Sequence, residues 1–217
     1  MPPVSYVRYS QPPDVDKDGD TLINHKVVRA RPGLKRFLLD VQAVAHVIVW
    51  SSMVLSNTEP IVSFLFHGLE PPCLVLGQES CDDLRDERGR PVDKVGGGNG
   101  QQFLKVLKTK LWDVVPTLRG VPAGWWPTPL NTLLVDDSPP KSVLNPPGTA
   151  IFPVTWKGDM ADNFLEAELW PYIRRLVDHL DNFPDFVLEH PIGNRPLSRR
   201  SEVYKTLVRY ARLNKLI

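Results

Sequence analysis

Residues 132–154 read TLLVDDSPPKSVLNPPGTAIFPV, and their pattern decides the fold. TLLV (132–135) is a short apolar run that predicts a strand. It stops abruptly at two adjacent acids, Asp136 and Asp137. The following Ser138-Pro139 is turn chemistry, which Asp itself commonly starts. AIFPV (150–154) predicts a further strand. It belongs near a sheet edge, because Pro153 has no N–H to donate to a ladder.

Toward the N-terminus, HVIVW (46–50) is a β-branched run that predicts a buried strand ending at Ser51-Ser52. Leu34, Phe37, Leu38, Val41 and Ala45 recur at helical spacing and predict an amphipathic helix over 33–45. Ser56 or Asn57 is expected to cap a second helix whose apolar face holds Ile61, Phe64 and Leu65. Residues 73–76 predict a strand, 79–100 an exposed charged loop, and 101–112 a helix with Phe103, Leu104, Leu107 and Leu111 on one face. A last long helix is expected over 165–180, with Pro171 near the first turn of its second half. Alternating helices and strands imply an α/β fold with a mainly parallel sheet covered on both faces. In such sheets ligands bind beyond the carboxyl ends of the strands. That singles out Ser51-Ser52 and Asp136-Asp137.

The chain has 217 residues, enough for one domain. Its 26 basic and 25 acidic side chains give a net charge of +1, which excludes a generically basic nucleic-acid binder. Two cysteines, Cys73 and Cys81, exclude a disulfide framework or a four-cysteine zinc site. The most apolar window, 41–55, contains Gln42, His46, Ser51 and Ser52 and is too short and polar to span a bilayer. No signal-peptide pattern opens the chain. A soluble intracellular protein is therefore expected, nuclear or cytoplasmic before mitochondrial.

The adjacent acids admit two readings. Magnesium takes one or two carboxylates from a protein, which suits Asp136 and Asp137 at a strand end. Alternatively Asp136 caps the turn while Asp137 is solvated. Ser51 and Ser52 stand where hydroxyls and backbone N–H groups could hold a phosphate, or simply where a turn begins. Lys105, among Lys108 and Lys110 on a predicted helix, reads by itself as a solvated charge. The five histidines lack metal-ligand spacing, and His46 reads as structural. DVDKDGDTL (14–22) has the front of a calcium loop, but its twelfth position is His25 rather than a glutamate. It also mimics D-x-D-x-T, with Asp20 in the threonine position after Asp16 and Asp18. No apolar strand precedes it, so a solvated loop is expected.

Several segments, in order, resemble one family: RPGLKRFLLDV, VIVWSSM, FLKVLKTKLW, the 132–154 stretch and LEAELWPYIRRLVDHL. They are similar to the phosphatase domain of the RNA polymerase II C-terminal-domain phosphatases, also called the NLI-interacting-factor-like domain, of the haloacid dehalogenase superfamily. FVLEHPIGNRPL and NPPGTAIFP most resemble plant-type members. The resemblance spans 27–180, which leaves an irregular N-terminal segment, 1–26, and a C-terminal extension, 181–217.

The resemblance implies roles. Ser51 would bind the transferring phosphoryl group, Lys105 would neutralise its charge, and Asp136 and Asp137 would hold Mg²⁺, with Asp137 the better match for the ligand. The substrate would be a phosphorylated protein or peptide. The family's first strand, ending in D-x-D-x-T with the nucleophilic aspartate, has no counterpart here. The segment 5–28 resembles the stretch on the C-terminal side of that strand. A central strand between HVIVW and TLLV is thus expected to be missing, with 4–9 as a poor substitute. The resemblance leaves three functions as expectations: a phosphatase-like domain that is catalytically incomplete as written, an active magnesium-dependent phosphoserine/threonine phosphatase whose gene model was truncated, or a non-catalytic binding module of the mitochondrial presequence-translocase receptor type. The last would require an upstream membrane helix.

Overall fold

In the computed structural model, residues 4–7, 20–95, 100–114, 118–122 and 124–217 are described. Strands β1 (Val4–Val7), β2 (Asp20–Ile23) and β3 (Lys26–Ala30) form an antiparallel sheet in the order β1-β3-β2. Asn24 and His25, both at positive φ, make the two-residue turn between β2 and β3, a hairpin geometry that matches strand twist. Arg29 donates to both Asp20 oxygens across that pair, at 2.5 and 2.7 Å. Two strands therefore lie within the first 26 residues. Val4–Val7 pairs with β3, not with the strands flanking the expected gap. The rejected acidic motifs at 14–19 lie outside the described residues.

Helix α1 (Leu34–Gln42) buries Leu34, Phe37, Leu38 and Val41, the face that its spacing predicts. Strands β4 (Ile48–Trp50) and β5 (Leu74–Leu76) pair in parallel around helix α2 (Leu55–Leu65). Neither Ser56 nor Asn57 caps α2. Its N-cap is Val54, and the Leu55 N–H is met by the Glu79 carboxylate at 3.0 Å, an acid supplied from 24 residues away. Phe64 faces outward, 41% exposed, while Ile61 and Val62 are buried.

Within the expected loop over 79–100, described residues form strands and bridges. Strand β6 (Asp82–Asp83) pairs antiparallel with β7 (Phe103–Leu104), and bridges join Arg85 to Pro91 and Asp93 to Gln101. The predicted helix over 101–112 is therefore half strand. Only Lys108–Trp112 is helical, as a π turn. The reason is tertiary: Leu84, Val92, Leu104 and Val106 share a buried cluster that only an extended 103–106 can reach.

Strands β8 (Leu134–Val135) and β9 (Ala150–Ile151) form a second parallel pair. The α/β class and the parallel pairing hold, but an extended, mainly parallel sheet is not seen among the described residues. Among the described residues β4–β5 and β8–β9 are separate two-stranded units, and the other two sheets are antiparallel. A cavity of about 550 Å³ lies between them, lined by Ile48 and Trp50 on one side and Leu134 and Val135 on the other. Gly148, at φ 80, turns the chain into β9. A Cβ there would collide with the Pro184 carbonyl, so the loop can approach only as glycine.

The expected long helix forms as one continuous helical run over 164–177, of mixed π and α geometry. Leu165–Leu169 is a π turn, and helix α3 (Trp170–Val177) begins at the residue before Pro171. Proline cannot donate the next i→i−4 bond, and the run has π geometry just ahead of it. Helices α4 (Phe183–Glu189) and α5 (Glu202–Leu213) complete the described chain. Phe183, Phe186 and Val187 of α4 pack with α1 and α3 in the largest core cluster. None of the helices among the described residues is long and apolar enough to cross a membrane.

Arg31 ties the α1 entrance to the segment before α3. Its guanidinium, 4% exposed, makes a bidentate pair with Asp162 at 2.7 Å for both bonds and lies over Phe164. Hydrogen bonding from Arg31 is the main cause that holds the Asp162 carboxyl below its ordinary value. Asp162→Asn removes the carboxylate from a buried guanidinium. It should lower the unfolding free energy by about 3 kcal/mol, the low end for breaking a buried pair, because Asp162 keeps 21% of its side chain exposed. Chemical denaturation of the two proteins measures this. A difference under about 0.5 kcal/mol would mean the pair behaves as a surface pair.

Candidate phosphate-binding site

Three backbone segments meet at one ammonium group. Lys105 follows directly on β7, between Leu104 and Val106, whose side chains turn into the core. In an extended strand neighbouring side chains alternate faces. The Lys105 side chain therefore runs the other way, toward the ends of β4 and β8. Its Nζ donates to the Trp50 carbonyl at 2.6 Å and to Asp136 Oδ2 at 2.7 Å. Trp50 is the last residue of β4 and Asp136 the first after β8. The amine is 3% exposed and the carboxylate 0%. Lys105 is thus not the solvated helix lysine that its neighbours suggested.

Asp136 is held on all sides. Oδ1 accepts from the Ser138 N–H at 2.9 Å and from Lys141 Nζ at 3.1 Å. Its turn-capping role and its ion pair thus coexist. Burial would raise the carboxyl, but neighbouring positive charge, that of Lys105 above all, outweighs it and holds Asp136 below the usual carboxylate range. Burial pulls Lys105 down, opposed by Asp136. The Asp136 direction governs the pair, since its carboxylate faces two cations and a backbone N–H.

Asn145 fixes the backbone on which Lys105 sits. Its amide donates to the Lys105 carbonyl at 2.8 Å and accepts from the Leu107 N–H at 2.9 Å. The Lys105 N–H bonds the Lys141 carbonyl at 2.7 Å. Lys141 and Asn145 escaped the reading of the sequence. The available signal was the 3-10 turn Pro139–Ser142, which carries Lys141 back over Asp136.

Ser51 is 8% exposed and follows Trp50. Its N–H bonds Leu76, and its Oγ accepts from the Met53 N–H at 3.0 Å. Its hydroxyl proton has no acceptor among the described residues. Ser52, the weaker of the two serines, makes no hydrogen bond there. Asp137, half-buried, has no ion-pair partner among the described residues, where no group of three or more potential metal ligands occurs either. Cys81 lies beneath, its sulfur 3.9 Å from the Ser51 carbonyl, and burial raises its thiol despite the charge of Lys105. His46 is exposed and stacks edge-on to Trp125 at 4.6 Å, outside the strand it was expected to open.

Asp136→Asn should cost about 3–5 kcal/mol, because it leaves the Lys105 ammonium buried without a countercharge. The pH dependence has a definite sign. A carboxyl whose folded value is depressed stabilises the protein fully above its unfolded value and loses that as pH falls through the folded one. The gap between wild type and variant should therefore be flat above about pH 4, the ordinary aspartate range, and close as the pH drops below it. Urea titrations from pH 7 to pH 3 test this. A gap that stays constant to the acid limit would show that folding does not depress the Asp136 carboxyl. Lys105→Met with Asp136→Asn should recover most of the loss, since removing both charges removes the burial penalty.

Comparison with known proteins bears on what this arrangement is. No curated protein matches the chain. The profile of the NLI interacting factor-like phosphatases matches residues 9–184, which includes Ser51, Lys105, Asp136 and Asp137. With most of its length so matched, the chain belongs to the NLI interacting factor-like phosphatase family.

Proposed function

We propose that Ser51, Lys105 and Asp137 form the phosphate-holding part of a phosphatase-like site for phosphorylated serine or threonine in protein, and that the chain is catalytically incomplete as written. The observation that carries this is the buried Lys105 ammonium. An ammonium has three donors. Among the described residues two are taken, by Trp50 and Asp136, leaving one for an anion. Charge neutralisation of the phosphoryl group is the main protein task in such chemistry. The Ser51 hydroxyl adds a second donor from the end of β4, where strand-end ligand sites occur in α/β folds.

Magnesium fits the donor set through Asp137. Asp136 is already shared between two lysines and a backbone N–H, whereas Asp137 keeps its oxygens uncommitted among the described residues. One carboxylate is within the range that Mg²⁺ takes from a protein, the rest being water and phosphate oxygens. When bound, the ion would offset charge on the phosphoryl oxygens.

The incompleteness rests on the nucleophile. Among the described residues the one carboxylate in contact with Lys105 is Asp136. Its lone pairs are engaged by two cations, so it is a poor attacking group. The test has two readouts. Inorganic phosphate with Mg²⁺ should bind by calorimetry, at least tenfold more weakly in Ser51→Ala and in Lys105→Met, and with lost magnesium dependence in Asp137→Ala. Release of phosphate from an aryl phosphate and from a phosphoserine peptide should stay at the buffer rate, with or without Mg²⁺. Magnesium-dependent turnover abolished by Asp16→Asn or Asp18→Asn would place the nucleophile in the 14–19 segment and overturn the incompleteness. Phosphate binding indifferent to Ser51 and Lys105 would overturn the site.

A further inference from the structure

The charge of the chain is unevenly distributed. Residues 191–217 hold seven basic side chains against one acid, Glu202, a net +6. The other 190 residues therefore carry −5 of the total +1. All seven cations, Arg195, Arg199, Arg200, Lys205, Arg209, Arg212 and Lys215, are exposed. Lys205 is the only one with an ion pair among the described residues, to Glu202 at 2.6 Å.

Helix α5 organises this charge. Leu207 and Ala211, both 0% exposed, are its buried face. Lys205, Arg209 and Arg212 follow i, i+4, i+7 and fall on the opposite side. Like charges at that spacing weaken a helix by a few tenths of a kcal/mol each, so the stripe is a cost to folding that needs another explanation. The helix also lies beyond residue 184, where the family match ends.

Its placement gives the explanation. Leu207 and Ala211 share a buried cluster with Leu104 and Val106, the two residues that flank Lys105. The helix also rests against the Pro139–Ser142 turn that carries Lys141, and Asn214 at its end bonds the Arg85 carbonyl at 2.9 Å. The cationic face is thus rigidly mounted on the back of the strand whose front presents Lys105. Its apolar face is consumed by the core, so it cannot insert into a lipid surface as a free amphipathic helix would.

We propose that the exposed face of α5, with Arg195, Arg199 and Arg200, docks an acidic stretch of the substrate polypeptide, separate from its phosphorylated residue. This rests on the phosphate-site reading above. Charge complementarity selects a polyanion, and the attachment to the Lys105 strand selects a polypeptide that reaches both faces. Spanning a strand layer and a helix of about 10–12 Å diameter takes roughly six residues of extended chain at about 3.3 Å each.

The test uses fluorescence anisotropy with the full chain and three labelled peptides: one with a phosphoserine alone, one with an added Asp/Glu block about six residues away, and one with the block alone. The block should tighten binding at least tenfold at low salt, and the gain should shrink as salt rises. Lys205→Glu/Arg209→Glu/Arg212→Glu should erase the gain and leave the phosphoserine peptide unchanged. Circular dichroism verifies that this variant keeps its helix, and Arg199→Gln/Arg200→Gln should give a partial loss without touching α5. Lys105→Met should weaken the phosphoserine contribution and spare the block. If the block gives no gain while Lys105 still governs phosphoserine binding, the docking proposal fails and the site stands. If the block binds through α5 but Lys105 has no effect, the surface stands and the site reading fails. Single-stranded RNA or anionic vesicles that bind through the same three residues at least tenfold more tightly than the acidic peptide would overturn the proposal.

Discussion

Everything at the centre of this protein depends on burying one ammonium. Taking Lys105 out of water costs several kcal/mol, and its attraction to Asp136 repays this only with good geometry and further hydrogen bonds. The chain supplies both. Asp136 sits 2.7 Å away, Trp50 offers a carbonyl at 2.6 Å, and Lys141 and Ser138 complete the carboxylate. An apolar pair of similar size would hold the same segments together at less cost. Retaining the charges is understandable where an anion is to be bound.

The same interaction explains how two short parallel pairs act as one framework. Strands β4–β5 and β8–β9 share no ladder among the described residues. What joins their carboxyl ends is Lys105, reaching from a third, antiparallel unit. The surrounding helices α1, α3 and α4 supply apolar contact but not that polar connection. The charge on α5 is attached to the same strand from the other side, so anion-attracting groups flank β7 front and back.

Much of this was legible in the residues. The apolar runs before Ser51 and Asp136 are strands, and the periodicity of 34–41 buries the expected face, because those signals come from local pattern alone. A phosphate-binding role for Lys105 was suggested only by the family likeness. Its neighbours Lys108 and Lys110 made a solvated stripe equally plausible, and Phe103, Leu104 and Leu107 fit a helical face as well as a strand. The choice was made by Leu84, Val92 and Leu207, which are distant in sequence. The capping of α2 by Glu79 and the strand pairing of Val4–Val7 with β3 are non-local in the same way. Pro171 did mark where the last long helix changes from π to α geometry, because its missing N–H is written in its own covalent structure.

The clamp of Asn145 on the Lys105 backbone has a further, entropic meaning. A free lysine has a four-carbon stem with about 1.5–2 kcal/mol of rotamer freedom to lose when it is fixed. Here Asn145 fixes the main chain from the Lys105 carbonyl to the Leu107 N–H and the Lys141 carbonyl holds the Lys105 N–H, while Trp50 and Asp136 hold the tip. That disorder is surrendered once, on folding. An anion arriving at the amine finds it already ordered, and the free energy of contact need not be spent on arranging the side chain that makes it.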